Sequence, residues 1–341
     1  MNGSRLDDFL ALSRAHPWEL TPFSESLADG ARAQVWDTGV LCIEPAVPGN
    51  RDLVLSCGIH GNETAPIELC ERLLNAILSG RLTCRQRLLF IFGNPAAMNL
   101  GVREVEENLN RLFSGAHARG DRRNHERERA ARLEQYVTRF FEARDGAERL
   151  HYDLHTAIRP SAYEKFAIYP FTHGAPYSRQ QLAFLCSAGV ETILLAHGPT
   201  TTFSYFSAHG FGAHAFTVEL GKVMPFGQND ARRFAAMERN LEQLISEPDW
   251  QPPALDLNQL RVFRVCQEIT KQSEQFRFHF ADTIANFSAF AVGTLLAEDG
   301  EQQWFAQEQQ EAVVFPNAGV ANGQRAALMV TTAELTTDML A

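Results

Sequence analysis

The chain has no cysteine pair spaced CxxC, although six cysteines are present at positions 42, 57, 70, 84, 186 and 266. That absence argues against a cysteine zinc site. Most of the six lie in apolar runs such as LVLSC and IELCERLL, so they read as buried free thiols in a reducing cytoplasm. There is no run of 18 uncharged apolar residues, so no membrane span is expected. The first twenty residues carry acids where a leader would carry bases, and they have no apolar core of leader length. A cytoplasmic location is therefore expected. Basic charge is also short: 31 Lys+Arg stand against 41 Asp+Glu, a net of −10. A broad nucleic-acid or anionic-membrane surface needs the opposite balance. A small pocket of arginines for an anionic ligand remains compatible with it, because net charge does not fix local charge. No internal repeat and no low-complexity tract occurs. With 45% hydrophobic and 21% charged residues among 341, the chain is globular rather than disordered, and large enough for more than one domain.

The pattern along the chain is that of an α/β protein. LVLSC (53–57) and LLFIF (88–92) are short, uniformly apolar runs, as buried parallel strands should be. Between them, PIELCERLLNAILSG (66–80) has helical apolar spacing, with proline near its first turn and glycine as its stop. Further strands are expected at 150–154, 166–169, 191–195 and 215–220, and helices at 124–144, 177–187 and 228–246. This alternation predicts a mixed, mainly parallel sheet flanked by helices. The segment EPDWQPPALDLNQ (247–259) breaks the pattern. Beyond it LRVFRVCQEIT, AFAVGTLLAED, QQWFA and AVVFPNAG read as short strands, so a catalytic domain over 1–252 and a small C-terminal β domain over 253–341 are expected. The mixed-sign run ARGDRRNHERERAAR (118–132) reads as a solvated helix face.

The chemistry gathers in a few loops. In Cys57-Gly58-Ile59-His60-Gly61-Asn62-Glu63, an imidazole and a carboxylate sit three residues apart, after a strand and before a helix. Ligands bind at that end of an α/β sheet, and both groups are good Zn²⁺ donors. The same HxxE spacing recurs at His125 and Glu128, but inside the charged helix and with no strand before it. In LHYDLH, residues 151, 153 and 155 share one strand face. His155 is a third metal donor, with His151 as the competing candidate. Asp153 is placed to hold a ligand or to order the loop. Two histidines, one glutamate and an open position make the catalytic type of zinc site. Hydrolysis of an amide also needs a base, and Glu219 is the one acid in the apolar strand FTVELG. His173, His197 and His214 belong to no motif and read as structural.

Taken in order, GIHGNETAP, NPAAM…R…ENLNRLF, DLHT and FTVELG resemble the succinylglutamate desuccinylase and aspartoacylase family of zinc hydrolases, which is related in fold to the zinc carboxypeptidases. The resemblance is close over residues 50–225. It implies that His60, Glu63 and His155 hold one Zn²⁺ and that Glu219 is the general base. It implies that Arg103 faces the scissile carbonyl, and that Asn110 and Arg111 bind substrate. Within the family, the chain resembles the desuccinylase side. His209 stands ten residues before Glu219, where aspartoacylases carry arginine, and no tyrosine follows Tyr205. Tyr205 and His209 are taken as further substrate contacts. The implied reaction is hydrolysis of N2-succinyl-L-glutamate to succinate and L-glutamate, a step of arginine catabolism by the succinyltransferase route. The alternatives are an aspartoacylase-like deacylase, a carboxypeptidase and a non-enzymatic zinc module. The expected partner is a small anionic amide, with no nucleic acid and no membrane, and the sequence admits a homo-oligomer.

Overall fold

The computed structural model describes residue 6 and residues 8–341. Residues 1–5 and 7, on which the leader expectation partly rests, lie outside the described residues. The chain begins with helix α1 (Phe9–Ala15) and an antiparallel run of β1 (Phe23–Ser26), β2 (Arg32–Asp37) and β3 (Val40–Glu44). It continues through β4 (Arg51–Cys57), α2 (Thr64–Leu78), β5 (Arg87–Phe92), α3 (Pro95–Leu100), α4 (His125–Glu142), β6 (Glu148–Ala157), β7 (Phe166–Tyr169), α5 (Arg179–Ser187), β8 (Thr192–Leu195), α6 (Phe203–Phe211), β9 (His214–Lys222) and α7 (Ala235–Ser246). The last strands are β10 (Arg261–Thr270), β11 (Arg277–Phe278), β12 (Ser288–Phe290), β13 (Leu295–Asp299), β14 (Gln302–Phe305), β15 (Glu311–Val314) and β16 (Arg325–Ala333).

Thirteen strands make one mixed sheet in the order β1-β2-β3-β5-β4-β6-β9-β7-β8-β10-β16-β15-β12, and β11-β13-β14 make a small second sheet. The middle is parallel: β4 pairs with β5 and β6, and β6 with β9. Every residue of β4 and β5 is buried, as their unbroken apolar runs predict. Alternation along these strands decides which side chains meet. Leu53, Leu55 and Cys57 of β4, Leu150, Tyr152 and Leu154 of β6, and Phe216, Val218 and Leu220 of β9 all enter one core, with α2 and α7. Val54 enters a second core with Leu133, Val137 and Phe140 of α4. The intervening residues His151, Asp153, His155, Thr217 and Glu219 therefore face the α4 side.

Several expectations change in detail. β6 is longer than 150–154, because its parallel ladder with β4 begins at Glu148 and its ladder with β9 carries it to Ala157. Pro66 is the third helical residue of α2, behind Thr64 and Ala65. The first-turn amides have no intrahelical acceptor, so proline is tolerated there. Among the charges of 118–132, Arg129 is fully buried, not solvated. Its guanidinium donates to the carbonyl oxygens of Gly93, Thr38 and Phe92 and to Asp37, which satisfies backbone groups that the strand ends leave open. The C-terminal strands do not stand apart from the main sheet. β10 adds in parallel to β8, from Arg261 opposite Thr192 to Arg264 opposite Leu195. Phe166 and Leu194 pack with Phe263, Phe287 and Val330 across the joint. β16 was not expected from the sequence; it pairs antiparallel with β10 along most of its length.

Candidate active site

The loop after β4 carries His60 to the carboxyl end of the sheet. Gly58 has φ +62°, a conformation that side chains resist. A Cβ at Gly61 would collide with the backbone of Ala97 and Met98, so glycine lets the loop pack directly on α3. Glu63 stands at the N-cap of α2 without a side-chain capping bond, which leaves its carboxylate to the site. Glu63 Oε1 lies 2.9 Å from His60 Nδ1, and Oε2 lies 2.9 Å from His155 Nδ1. The amide of Thr156 also donates to Oε2 (3.1 Å), and Arg103 Nη1 to Oε1 (2.8 Å).

The other nitrogen of each ring is tied outward. His60 Nε2 meets Asn108 Oδ1 at 3.1 Å, and His155 Nε2 meets Asp153 Oδ2 at 2.9 Å. Asp153 in turn accepts from Ser56 Oγ (2.5 Å), which also meets His151 Nε2 (2.7 Å). His151 Nδ1 lies 2.8 Å from Ser207 Oγ. His151 is thus part of a buried chain behind the site, and His155 is the histidine that joins His60 and Glu63. Donor atoms of these three residues lie within 4.8 Å of one another, and among the described residues they are the one such group of three. Two Nδ1 atoms and a carboxylate converging, with each far nitrogen held by a side-chain oxygen, is an arrangement that can hold a divalent cation. Burial, with the charge of Arg103, pushes His60 down to about 4. Burial opposes charge on His155, but the Asp153 and Glu63 carboxylates outweigh it and raise the ring well above its usual range. Burial likewise opposes charge on Glu63, while His60 and His155 hold it well below the carboxylate range.

Glu219 pairs with His155 in the β6–β9 register. It is buried, at 6% exposure, and its Oε2 has no hydrogen-bond partner. Burial, reinforced by Glu63, pushes it up to about 7. A buried carboxylate oxygen with no partner is costly; here it borders a cavity of about 730 Å³ that His60, Glu63, Arg103, Asn110, Arg111, His155 and Glu219 all line. Asn110 also has a structural task, since its Oδ1 accepts from the amide of Phe203 at 2.9 Å. Arg111 Nη1 donates to the carbonyl of Asn110 at 2.9 Å. Burial, then the charges of Arg325 and Arg103, pull Arg111 down to about 9.

Tyr205 and His209 are not among the cavity-lining residues. Their rings stack 5.3 Å apart, and Tyr205 Oη meets His173 Nε2 at 3.0 Å. The second HxxE pair stays out as well: Glu128 is exposed on α4, and His125 packs edge-on against Trp18 at 4.4 Å. His197, read as structural, does line the cavity. The C-terminal strands and their loops build a further wall of the cavity, including Glu268, Asn286, Asn317 and Arg325, which no sequence motif marks. Its one signal was an arginine opening the apolar run RAALMV.

Known proteins resemble this chain along nearly its whole length. A family model described as the succinylglutamate desuccinylase/aspartoacylase catalytic domain matches residues 49–245. A second, the AstE/AspA barrel-sandwich hybrid domain, matches residues 258–333. The chain is 54% identical over 326 residues to a succinylglutamate desuccinylase of Idiomarina loihiensis, covering 95% of each chain. It is 51% identical to one of Shewanella piezotolerans, covering 96% of each. The crystal structure of the succinylglutamate desuccinylase from Chromobacterium violaceum superposes with a TM-score of 0.85 at 40% identity, over 97% of this chain and 99% of that one. Murine aminoacylase 3 shares the fold, with a TM-score of 0.56 at 16% identity over 86% of this chain and 97% of that one.

Proposed function

The chain belongs to the succinylglutamate desuccinylase/aspartoacylase family, and on that premise we propose that it hydrolyses N2-succinyl-L-glutamate to succinate and L-glutamate. The observation that carries the proposal is Glu219: a buried carboxylate with one unpartnered oxygen, beside a metal-capable group, in a cavity lined by arginines. In this reading His60, Glu63 and His155 hold one Zn²⁺ per chain, which the donor set of two imidazoles and a carboxylate suits. When bound, Zn²⁺ supplies a Lewis acid for a carbonyl oxygen and favours ionisation of water.

The chain's own residues do the rest. Glu219 accepts the proton of the attacking water and returns it to the amide nitrogen as glutamate leaves. Arg103, hydrogen-bonded to Glu63, donates to the oxygen that becomes negative as the carbonyl is attacked. Arg111 holds a substrate carboxylate through its planar fork, and Asn110 fixes the turn that presents it. Tyr205 and His209 take no direct part, because they stand off the cavity. The division at residues 252 and 253 is kept: the first part supplies the reacting groups and the second supplies a wall. Six cysteines without a disulfide support a reducing, cytoplasmic setting. No helix among the described residues is long and apolar enough to cross a membrane.

The test is a substrate panel on the purified protein with zinc quantified in parallel. Rapid release of succinate from N-succinylglutamate is expected, lost on chelation and restored by Zn²⁺. Cleavage of N-acetylaspartate alone would replace this reading with the aspartoacylase one.

A further inference from the structure

Arg111 shares the cavity with a guanidinium to which no motif points. Arg325 opens β16, opposite Thr270 of β10, and lines the cavity together with Arg103 and Arg111. Its Nη1 lies 3.6 Å from Glu268 Oε1, with 23% of the side chain exposed. That distance makes a loose ion pair rather than a hydrogen bond. Arg111 forms no ion pair among the described residues, and its Nη1 donates to the Asn110 carbonyl. The two guanidinium groups thus stand partly desolvated and incompletely neutralised, an arrangement that carboxylates relieve.

The remaining cavity cations are placed otherwise. Arg103 is engaged by Glu63 at the metal-capable end. Lys222 is exposed, and Arg159 lies in the bend after β6. In total five cationic side chains line the cavity against four carboxylates, and two of the five, Arg111 and Arg325, stand without a close carboxylate. The proposed substrate divides unevenly around its scissile amide: the succinyl half carries one carboxylate, whereas the amino acid half carries two. Two neighbouring arginines match the half with two.

Resting on the desuccinylase reading, we propose that Arg325 binds the side-chain carboxylate of the leaving amino acid while Arg111 binds its α-carboxylate, so that the C-terminal strands select the amino acid half. The test compares kcat/KM of the wild type, Arg325→Met and Arg325→Lys on three compounds. These are N-succinyl-L-glutamate, N-succinyl-L-glutamine, which lacks only the side-chain charge, and N-butyryl-L-glutamate, which lacks only the succinyl charge. The wild type should favour the glutamate compound over the glutamine compound by roughly 10- to 100-fold, the worth of a hydrogen-bonded charge. In Arg325→Met that ratio should fall to within about 3-fold of unity, chiefly through KM, with Arg325→Lys between the two. The succinyl-to-butyryl ratio should hold. An unchanged glutamate-to-glutamine ratio overturns the assignment, and so does a collapse of the succinyl-to-butyryl ratio, which would put Arg325 at the other end of the substrate. Thermal unfolding checks each variant; should Arg325→Met not fold, a fall of at least about 3-fold in the Arg325→Lys ratio is required instead. A wild type that cleaves none of the three compounds removes the desuccinylase reading itself, and this inference with it. That result is distinct from wild-type turnover with unaltered selectivity in the variants.

Discussion

The cavity has two walls of different construction. On one, His60, Glu63, His155 and Glu219 are all buried, and Glu63 alone receives two imidazoles, an arginine and a backbone amide. On the other, Glu268 is exposed on β10 and Arg325 is half-buried, and the pair meets at 3.6 Å. The first wall is held from behind by the chain Asp153–Ser56–His151–Ser207. On the second, Asn286 is buried and its Oδ1 accepts from the amide of Phe315 at 2.8 Å, while the Arg325–Glu268 pair itself stays loose. The difference fits a division in which reacting atoms need fixed positions, within fractions of an ångström, while recognition of a flexible dicarboxylate tolerates adjustment.

The sharpest way to break this comparison is to strike the reacting wall. Glu219→Gln should lower kcat by about 10²- to 10⁴-fold while metal content, read by atomic absorption, stays at one per chain. Near wild-type turnover would remove Glu219 from its role. The same residue sets a pH dependence. A base works only when deprotonated, so the rate should rise with pH as Glu219 ionises. Its burial puts that limb near 7, and a bound cation, favouring the charged form, moves it lower. A rate flat between pH 5 and 7.5 would still allow a limb below 5, whereas a rate that falls across that range would contradict it.

A smaller effect is expected behind the wall. Asp153→Asn keeps the shape but removes the charge that orients His155, and should weaken metal affinity by roughly 10- to 100-fold, measured by competition with a chelating dye. Unchanged affinity would make the buried chain mere packing. The least effect is expected at the second HxxE pair. His125→Ala should leave metal content and kcat/KM unaltered, because its partner Glu128 points to solvent. A lost metal there would show that sequence spacing, not strand context, had marked the site.

Much of the first wall was legible because its geometry is local. His60 and Glu63 lie on one strand–loop–helix passage, and His155 and Glu219 follow from a two-residue period on adjacent strands. What escaped depended on distant pairing. Arg325 reaches the cavity only because β16 folds back on β10 and β10 docks on β8, and neither step has a local signal. The strand β1 escaped for another reason: it alternates between half-buried and exposed residues and carries no apolar run, whereas β3 does carry a buried apolar run, VLCI, at 40–43. Arg129 was misjudged because its charge resembles its solvated neighbours, and only the carbonyl oxygens around it reveal its task. Tyr205 and His209 fall outside the cavity lining, on a helix whose start packs against Asn110.

The seam between β8 and β10 has a bearing on how such an enzyme can diversify. It is written in backbone amides and carbonyls, from Thr192 to Leu195 and from Arg261 to Arg264, and every residue type carries those groups. Side chains that face the cavity rather than the joint's apolar cluster can therefore change without loosening the attachment. The seam also forbids one kind of gating. Swinging the smaller part away as a lid would strip partners from buried ladder groups, at about 1–3 kcal/mol each, and would bare Phe166 and Leu194. Traffic of substrate and product must then pass through the loops at the cavity mouth, between two parts that stay joined.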